Sequence, residues 1–310
     1  MIKKTLYFGN PAYLSLRSGQ LVIKPAGSGQ AGGDHGHEKP PGETTRPIED
    51  LGVVVLDHPQ ITITAGAVQA LLENNCAVIT CDRKRMPVGL LLPLYGNTTQ
   101  NERFRRQLDA SLPLRKQLWQ QTVQAKIANQ ATALTACTGA ETKCMRTWAS
   151  DVRSGDPDNL EARAAAYYWK NFFPDVPLFT RDRDGMPPNH LLNYGYAILR
   201  AVVARGLVGS GLLPTLGIHH HNRYNAYCLA DDIMEPYRPF VDRLVFQICK
   251  EHGADAPLDK SIKAILLTVP TIEVNISGKR SPLMVAASQT TASLHKCFAG
   301  ELRRIAYPEL

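Results

Sequence analysis

VGLLLPLYGNTTQNERFRRQLDASLPLRKQLWQQTVQAKIANQ, residues 88–130, contains the change of hydrophobic period on which the fold turns. Val88 to Leu94 is almost entirely apolar and has the length of a strand. After Gly96 the apolar residues recur at Phe104, Leu108, Leu112, Trp119, Val123 and Ile127, close to the spacing of one helix face. Pro113 interrupts that pattern and is expected to break or kink the helix. Arg103, Arg105, Arg106, Arg115, Lys116 and Lys126 punctuate it. These read first as a solvated helix face and second as contacts for a phosphate backbone.

Upstream of the switch the chain reads as strands. KKTLYFG (3–9), AYLSLRS (12–18) and QLVIKP (20–25) are short β-type runs, with Gly19 marking a turn between the last two. LGVVVLD (51–57) is a continuous apolar run that suits a strand buried on both faces. PQITITAGAVQALLENN (59–75) predicts a strand leading into a short helix, and CAVITCD (76–82) another strand. From Pro25 to Pro47 the chain is Gly, Pro and charge without period, which predicts a flexible loop over 25–46 that catalysis does not need. His35 and His37 within it are solvated histidines on this reading.

Downstream, helices are predicted at 158–172, 188–208, 229–252, 259–268 and 282–301, with TIEVNISGKR (271–280) as a small hairpin. The expected fold is α+β: a β-rich N-terminal domain over 1–95, then a larger all-α C-terminal domain over 96–310.

The 310 residues suffice for two ordinary domains, and an apolar fraction of 44% supports real cores. A formal charge of +7 is a modest basic excess, compatible with nucleic acid as a partner. Seven scattered cysteines without a CxxC pair point to reduced thiols in a cytosolic protein. MIKKTLYFGN has charges but no apolar run behind them, and no uninterrupted apolar stretch is long enough to span a bilayer. Walker A, GxGxxG, HExxH and GxSxG patterns are absent, which disfavours nucleotide-driven motors, dehydrogenases, zincins and α/β-hydrolases.

The chemistry concentrates in GIHHHNRYNAYCLADDIME, Gly217 to Glu235. His219, His220 and His221 are followed by Asp231, Asp232 and Glu235, while Glu161 lies upstream in NLEARAAAYYW. Histidine nitrogen with two carboxylates is a ligand set for Mg²⁺ or Mn²⁺, and in a basic chain such a metal would act on a phosphodiester of nucleic acid. Three adjacent histidines cannot all point one way, so one ligand among them is expected. Each element also has a plainer reading. The histidines can be a surface run, and Glu161 the capping-box partner of an N-cap at Asp158. On a helix Asp232 and Glu235 share a face, whereas Asp231 serves the helix dipole.

Taken in order, TLYFGNPAYLSL, IEDLGVVVLDHPQITIT, NLEARAAAYYW, PPNHLLNYGYAILRA, GLLPTLGIHHHN and LADDIMEPYRPFVD resemble the CRISPR-associated integrase that acquires new spacers (the Cas-one family), in its type II branch. The resemblance covers nearly the whole chain. It implies a homodimer of two-domain subunits and a metal site of Glu161, His220 and Glu235, with Asp232 as an accessory acid. It implies an endonuclease and integrase that joins the 3′-hydroxyl of a short double-stranded DNA to the edge of a CRISPR repeat. Mg²⁺ or Mn²⁺ is the implied cofactor, the Cas-two protein dimer the implied partner, and the type II effector nuclease a further one. The Gly/Pro-rich loop at 25–46 departs from the family in its length. A DNA-holding scaffold with structural carboxylates and a metal-dependent phosphohydrolase of a small substrate are the alternatives.

Overall fold

The computed structural model describes residues 3–26 and 42–310, which divide into two compact units at Leu94/Tyr95. His35 and His37, with the middle of the predicted loop, lie outside the described residues.

In the first unit, strands β1 (Lys4–Phe8), β2 (Ala12–Arg17), β3 (Gln20–Pro25), β4 (Thr44–Pro47), β5 (Leu51–Leu56) and β6 (Ile61–Ile63) precede helix α1 (Ala65–Glu73) and strands β7 (Ala77–Cys81) and β8 (Pro87–Leu91). One sheet has the order β1-β5-β7-β8, the other β4-β3-β2-β6. The unbroken apolar run of β5 follows from its place: it lies parallel to both β1 and β7, and Leu51, Val53, Val54 and Val55 are fully buried. Between β2 and β3, Ser18 and Gly19 both adopt positive φ, the geometry a two-residue hairpin turn requires. Thr64 caps α1 by accepting from the Ala67 backbone nitrogen. Leu14, Leu21, Leu51, Val54, Leu71 and Val78 form the core.

The predicted loop is corrected at its far end. Pro25 ends β3, and Thr44–Pro47 is a strand paired antiparallel to β3. Lys24 and Arg17 beside it hold the buried Glu43 carboxylate. The Pro/Gly composition concealed a short edge strand whose pairing partner is far stronger than its own propensity.

The second unit is built from α2 (Gln100–Leu108), α3 (Leu112–Thr138), α4 (Lys143–Asp151), α5 (Leu160–Phe172), α6 (Asn189–Gly209), α7 (Cys228–Met234), α8 (Arg238–His252) and α9 (Lys260–Leu266). Strands β9 (Glu273–Ile276) and β10 (Lys279–Pro282), helix α10 (Leu283–Phe298) and strand β11 (Pro308–Glu309) follow. The helical pattern is broken ahead of Pro113, as expected: α2 ends at Leu108 and α3 starts at Leu112. Pro113 sits in the first turn of α3, where its missing N–H costs nothing, and Ser111 caps the helix. The predicted helix over 229–252 is two helices joined by a 3-10 turn over Glu235–Tyr237. An all-α C-terminal domain is also corrected: β10-β9-β11 is a small antiparallel sheet, because the chain's end returns to the free edge of the predicted hairpin.

Helix α6 is long and apolar enough to be a membrane span, yet 83% of its apolar window is buried within the protein. It packs against α7, α8 and α10, while α3 packs against α4, α5, α8 and the 235–237 turn. All seven cysteines are free.

Asp242 of α8 is buried in this interior. It accepts a hydrogen bond from Tyr168 at 2.9 Å and another from Tyr196. Burial pushes its carboxyl up to about 7, although the two tyrosines and the Arg238 and Arg181 guanidiniums pull the other way. A pKa raised above the unfolded value favours the neutral form in the fold. The resulting stabilisation is complete below the unfolded carboxylate range and is lost as pH rises through about 7. Asp242→Asn, neutral throughout, is expected to be more stable than the parent above that pH by on the order of a few kcal/mol. Melting temperatures from pH 5 to 8.5 check this; the same decline in both proteins would contradict it.

Candidate metal centre

Helix α3 supplies Trp119 and Lys126 to the site, and α5 supplies Glu161. The loop after α6 supplies the three histidines, α7 supplies Asp231 and Asp232, and the 235–237 turn supplies Glu235. The histidine loop is shaped by its neighbours. The buried Gln107 side chain donates to the carbonyls of Leu213 and Leu216 at 3.0 and 3.1 Å, and accepts from Leu213 N at 2.9 Å. Gly217 is required by close approach: a Cβ there would lie 2.3 Å from the His220 carbonyl oxygen and 2.7 Å from Asp232 Oδ2.

Asp232 is fully buried and organises the loop. Its Oδ2 accepts from His219 N at 2.9 Å and its Oδ1 from His220 N at 3.3 Å. Oδ1 also lies 2.5 Å from His220 Nδ1. A carboxylate can only accept, so Nδ1 carries the proton and Nε2 keeps its lone pair for another partner. The hydrogen bond to Asp232 raises the His220 pKa; burial opposes it, and Asp232, Glu235 and Glu161 add to it by charge. His219 is different: its ring stacks on Trp119 with centroids 4.1 Å apart and planes within 3°, and burial lowers its pKa. His221 is exposed.

Glu161 and Glu235 meet at Lys126. Its Nζ is 2.6 Å from Glu161 Oε1 and 2.6 Å from Glu235 Oε2. Arg238 lies 3.0 Å from the other oxygen of Glu235. Burial pushes the Glu235 carboxyl up, but Arg238 and Lys126 outweigh it and hold the group below its usual range.

One of the plainer readings falls and another is incomplete. Asp158 is not the N-cap of α5: it pairs with Arg153 at 2.7 Å, and Asp156 accepts from Leu160 N and Glu161 N instead. The Glu161 side chain therefore reaches Lys126, not a cap. Asp231 does more than face the helix dipole, binding Arg200 at 2.6 Å and Asn225 at 2.7 Å. Asp232 and Glu235 divide their work, one toward the histidine loop and one toward Lys126.

Lys126, Trp119 and Gln107 were not singled out as site residues by sequence reasoning. Lys126 was grouped with the basic residues of a solvated face, yet it is 7% exposed. The signal was available: it falls in the apolar register of α3, seven residues after Trp119 and three after Val123. Of the other basic residues there, Arg103 donates to Ser210 O and Arg106 pairs with Glu102 and Glu301, whereas Arg115 lines a cleft of about 550 Å³. His220, His221, Asn222, Arg223 and Asn225 share that cleft.

Among the described residues, no three His, Cys, Asp or Glu side chains already stand in a metal-holding group. The donors nevertheless fit a hard divalent cation: two carboxylates and a neutral imidazole are the right chemistry. Glu235 Oε2, moreover, is buried, and its partner there is a cation, the Lys126 ammonium at 2.6 Å. An ammonium already stands between the two glutamates as a cation of this place.

The family model for CRISPR associated protein Cas1 matches residues 6–272. The CRISPR-associated endonuclease Cas1 of Neisseria meningitidis is 37% identical over 94% of this chain and 91% of its own length. Among solved structures, a casposase bound to integration product superposes with a TM-score of 0.75 at 20% identity, covering 98% of this chain and 92% of that one. A Cas6-RT-Cas1--Cas2 complex gives a TM-score of 0.70 at 20% identity, over 99% of this chain and 36% of the other. These structures share the α+β fold with its strand-rich first part and helical second part. With a model match over most of its length and a relative this similar, the chain belongs to the CRISPR associated protein Cas1 family.

Proposed function

We propose that this chain is a metal-dependent DNA integrase and endonuclease of CRISPR adaptation. The observation that carries the reading is the meeting of Glu161 and Glu235, from separate elements, on one cation within electrostatic reach of His220. Glu161, His220 and Glu235 would hold Mg²⁺ or Mn²⁺. When bound, the cation supplies Lewis-acid polarisation of the phosphodiester and offsets charge on the leaving oxygen. Asp232 keeps the His220 Nδ1 proton in place and so presents Nε2 as a donor. Arg115 and Arg223, in the cleft that His220 also lines, neutralise DNA phosphates without reading sequence. The attacking group is the 3′-hydroxyl of the incoming DNA, so the protein supplies no covalent nucleophile.

The proposed working form is a cytoplasmic homodimer. A Cas2 dimer is its partner, as the Cas6-RT-Cas1--Cas2 complex suggests, and the effector nuclease a further one. The test incubates purified protein with branched and linear DNA in Mg²⁺, Mn²⁺ or EDTA. Cutting and 3′-end joining are expected only with a divalent cation. DNA binding without either reaction would favour a scaffold, and turnover of small phosphoesters but not DNA would favour a phosphohydrolase.

A further inference from the structure

The mechanism above leaves Lys126 without a part, although it is the most closely held cation of the site. It leaves α3 within a buried stripe that includes Val123, Ile127 and Gln130. Its ammonium donates to Glu161 Oε1 and lies at the same 2.6 Å from Glu235 Oε2. One ammonium thus holds a carboxylate from each of two elements. Burial disfavours the ammonium, but the charges of Glu235 and Glu161 outweigh it and hold the group above its usual range.

We propose that Lys126 is a tethered counter-cation that holds Glu161 and Glu235 together in the metal-free protein and must give up that position for a divalent cation to bind, so that it sets the site's metal affinity. This rests on the reading of Glu161 and Glu235 as metal ligands. Two carboxylates carried by different elements repel each other, and leaving a buried one uncompensated is strongly destabilising. The ammonium offsets both effects. A divalent cation held by the same two carboxylates would add its charge beside the ammonium, and two cations there repel each other. Lysine suits such a role. It carries a point charge on a flexible four-carbon stem, so it can withdraw, whereas Arg238 engages the other oxygen of Glu235 and need not move.

A purely structural lysine and a competing one make opposite predictions. If Lys126 only supports the glutamates, removing it weakens metal binding or leaves it unchanged. If it competes with metal, removing it tightens binding while destabilising the metal-free protein.

The test titrates Mn²⁺ into the full-length protein by calorimetry, with melting temperatures in EDTA and in saturating Mn²⁺. The variants are Lys126→Met, Lys126→Gln, Lys126→Arg and Glu161→Gln. Lys126→Met and Lys126→Gln are expected to bind Mn²⁺ about tenfold more tightly or better, because no buried ion pair has to be broken first. They should melt lower than wild type in EDTA and gain more from Mn²⁺. Lys126→Arg keeps the competing charge and should bind no tighter than wild type. A Met or Gln variant that folds only with Mn²⁺ also counts for the inference; failure of both to fold even with Mn²⁺ counts against it. Binding that Glu161→Gln abolishes but neither neutral variant tightens overturns this inference alone. Absence of Mn²⁺ binding in the wild type, or binding indifferent to Glu161→Gln, overturns the metal-ligand reading and this inference with it.

Discussion

His220→Ala is expected to abolish cutting and strand joining while leaving DNA binding in place. Loss of a ligand that positions a Lewis acid removes several kcal/mol of transition-state stabilisation, roughly 10³-fold or more in rate. The neighbouring histidines should behave differently, for reasons visible in their surroundings. His219 spends its ring on Trp119, and its contact to Asp232 is made by its backbone nitrogen, which alanine retains. His221 is exposed and, unlike His220, is not held by Asp232, so its loss should matter little. Glu161→Ala and Glu235→Ala should resemble His220→Ala, and combining either with it should cost little more, because the three act as a unit. None of these changes alters Arg115 or Arg223, so binding should persist and fall steeply with salt. Strand transfer in Mn²⁺ or Mg²⁺ beside a DNA titration decides. An active His220→Ala protein would mean that a different histidine, or a different site, performs the chemistry.

What was readable in advance depended on whether a signal was local. The β5 run and the 3.6 period of α3 declare their surroundings residue by residue, so strand and helix followed. β4 and β11 are strands only because β3 and β9 offer an edge, and nothing within Thr44–Pro47 or Pro308–Glu309 announces it. Helix α4, KCMRTWASD, went unpredicted because it buries little more than Met145 and so shows no apolar stripe in the sequence. At the site, Glu161, His220 and Glu235 were named through the family resemblance; spacing alone left the histidines and the capping box open. What spacing could not supply was pairing across elements. That Glu161 meets Glu235 through Lys126, 35 residues before Glu161 in the chain, is a fact of tertiary packing.

The same limit applies to Asp232, whose substitution tests how His220 is aimed. Asp232→Asn changes one atom yet cannot satisfy the contacts already made. In the protein, one oxygen faces His219 N–H, and the other faces both His220 N–H and the Nδ1 proton. Asparagine has a single oxygen. With its amide nitrogen toward His220, donor meets donor unless Nδ1 gives up its proton. The ring then carries its proton on Nε2, with no lone pair left there for a metal. With the nitrogen toward His219, the clash moves to a backbone N–H. Gly217 packs so closely against Asp232 Oδ2 that the loop has little room to shift away. Either orientation should lower Mn²⁺ affinity and strand transfer by about 10–100-fold, the usual effect of losing a carboxylate that orients a ligating histidine. DNA affinity should not change. Calorimetric Mn²⁺ titration and nitrogen NMR of the His220 ring distinguish the two orientations. Wild-type affinity with an unchanged tautomer would show that Trp119, whose ring lies edge-on to His220 at 5.5 Å, suffices to aim the imidazole without Asp232.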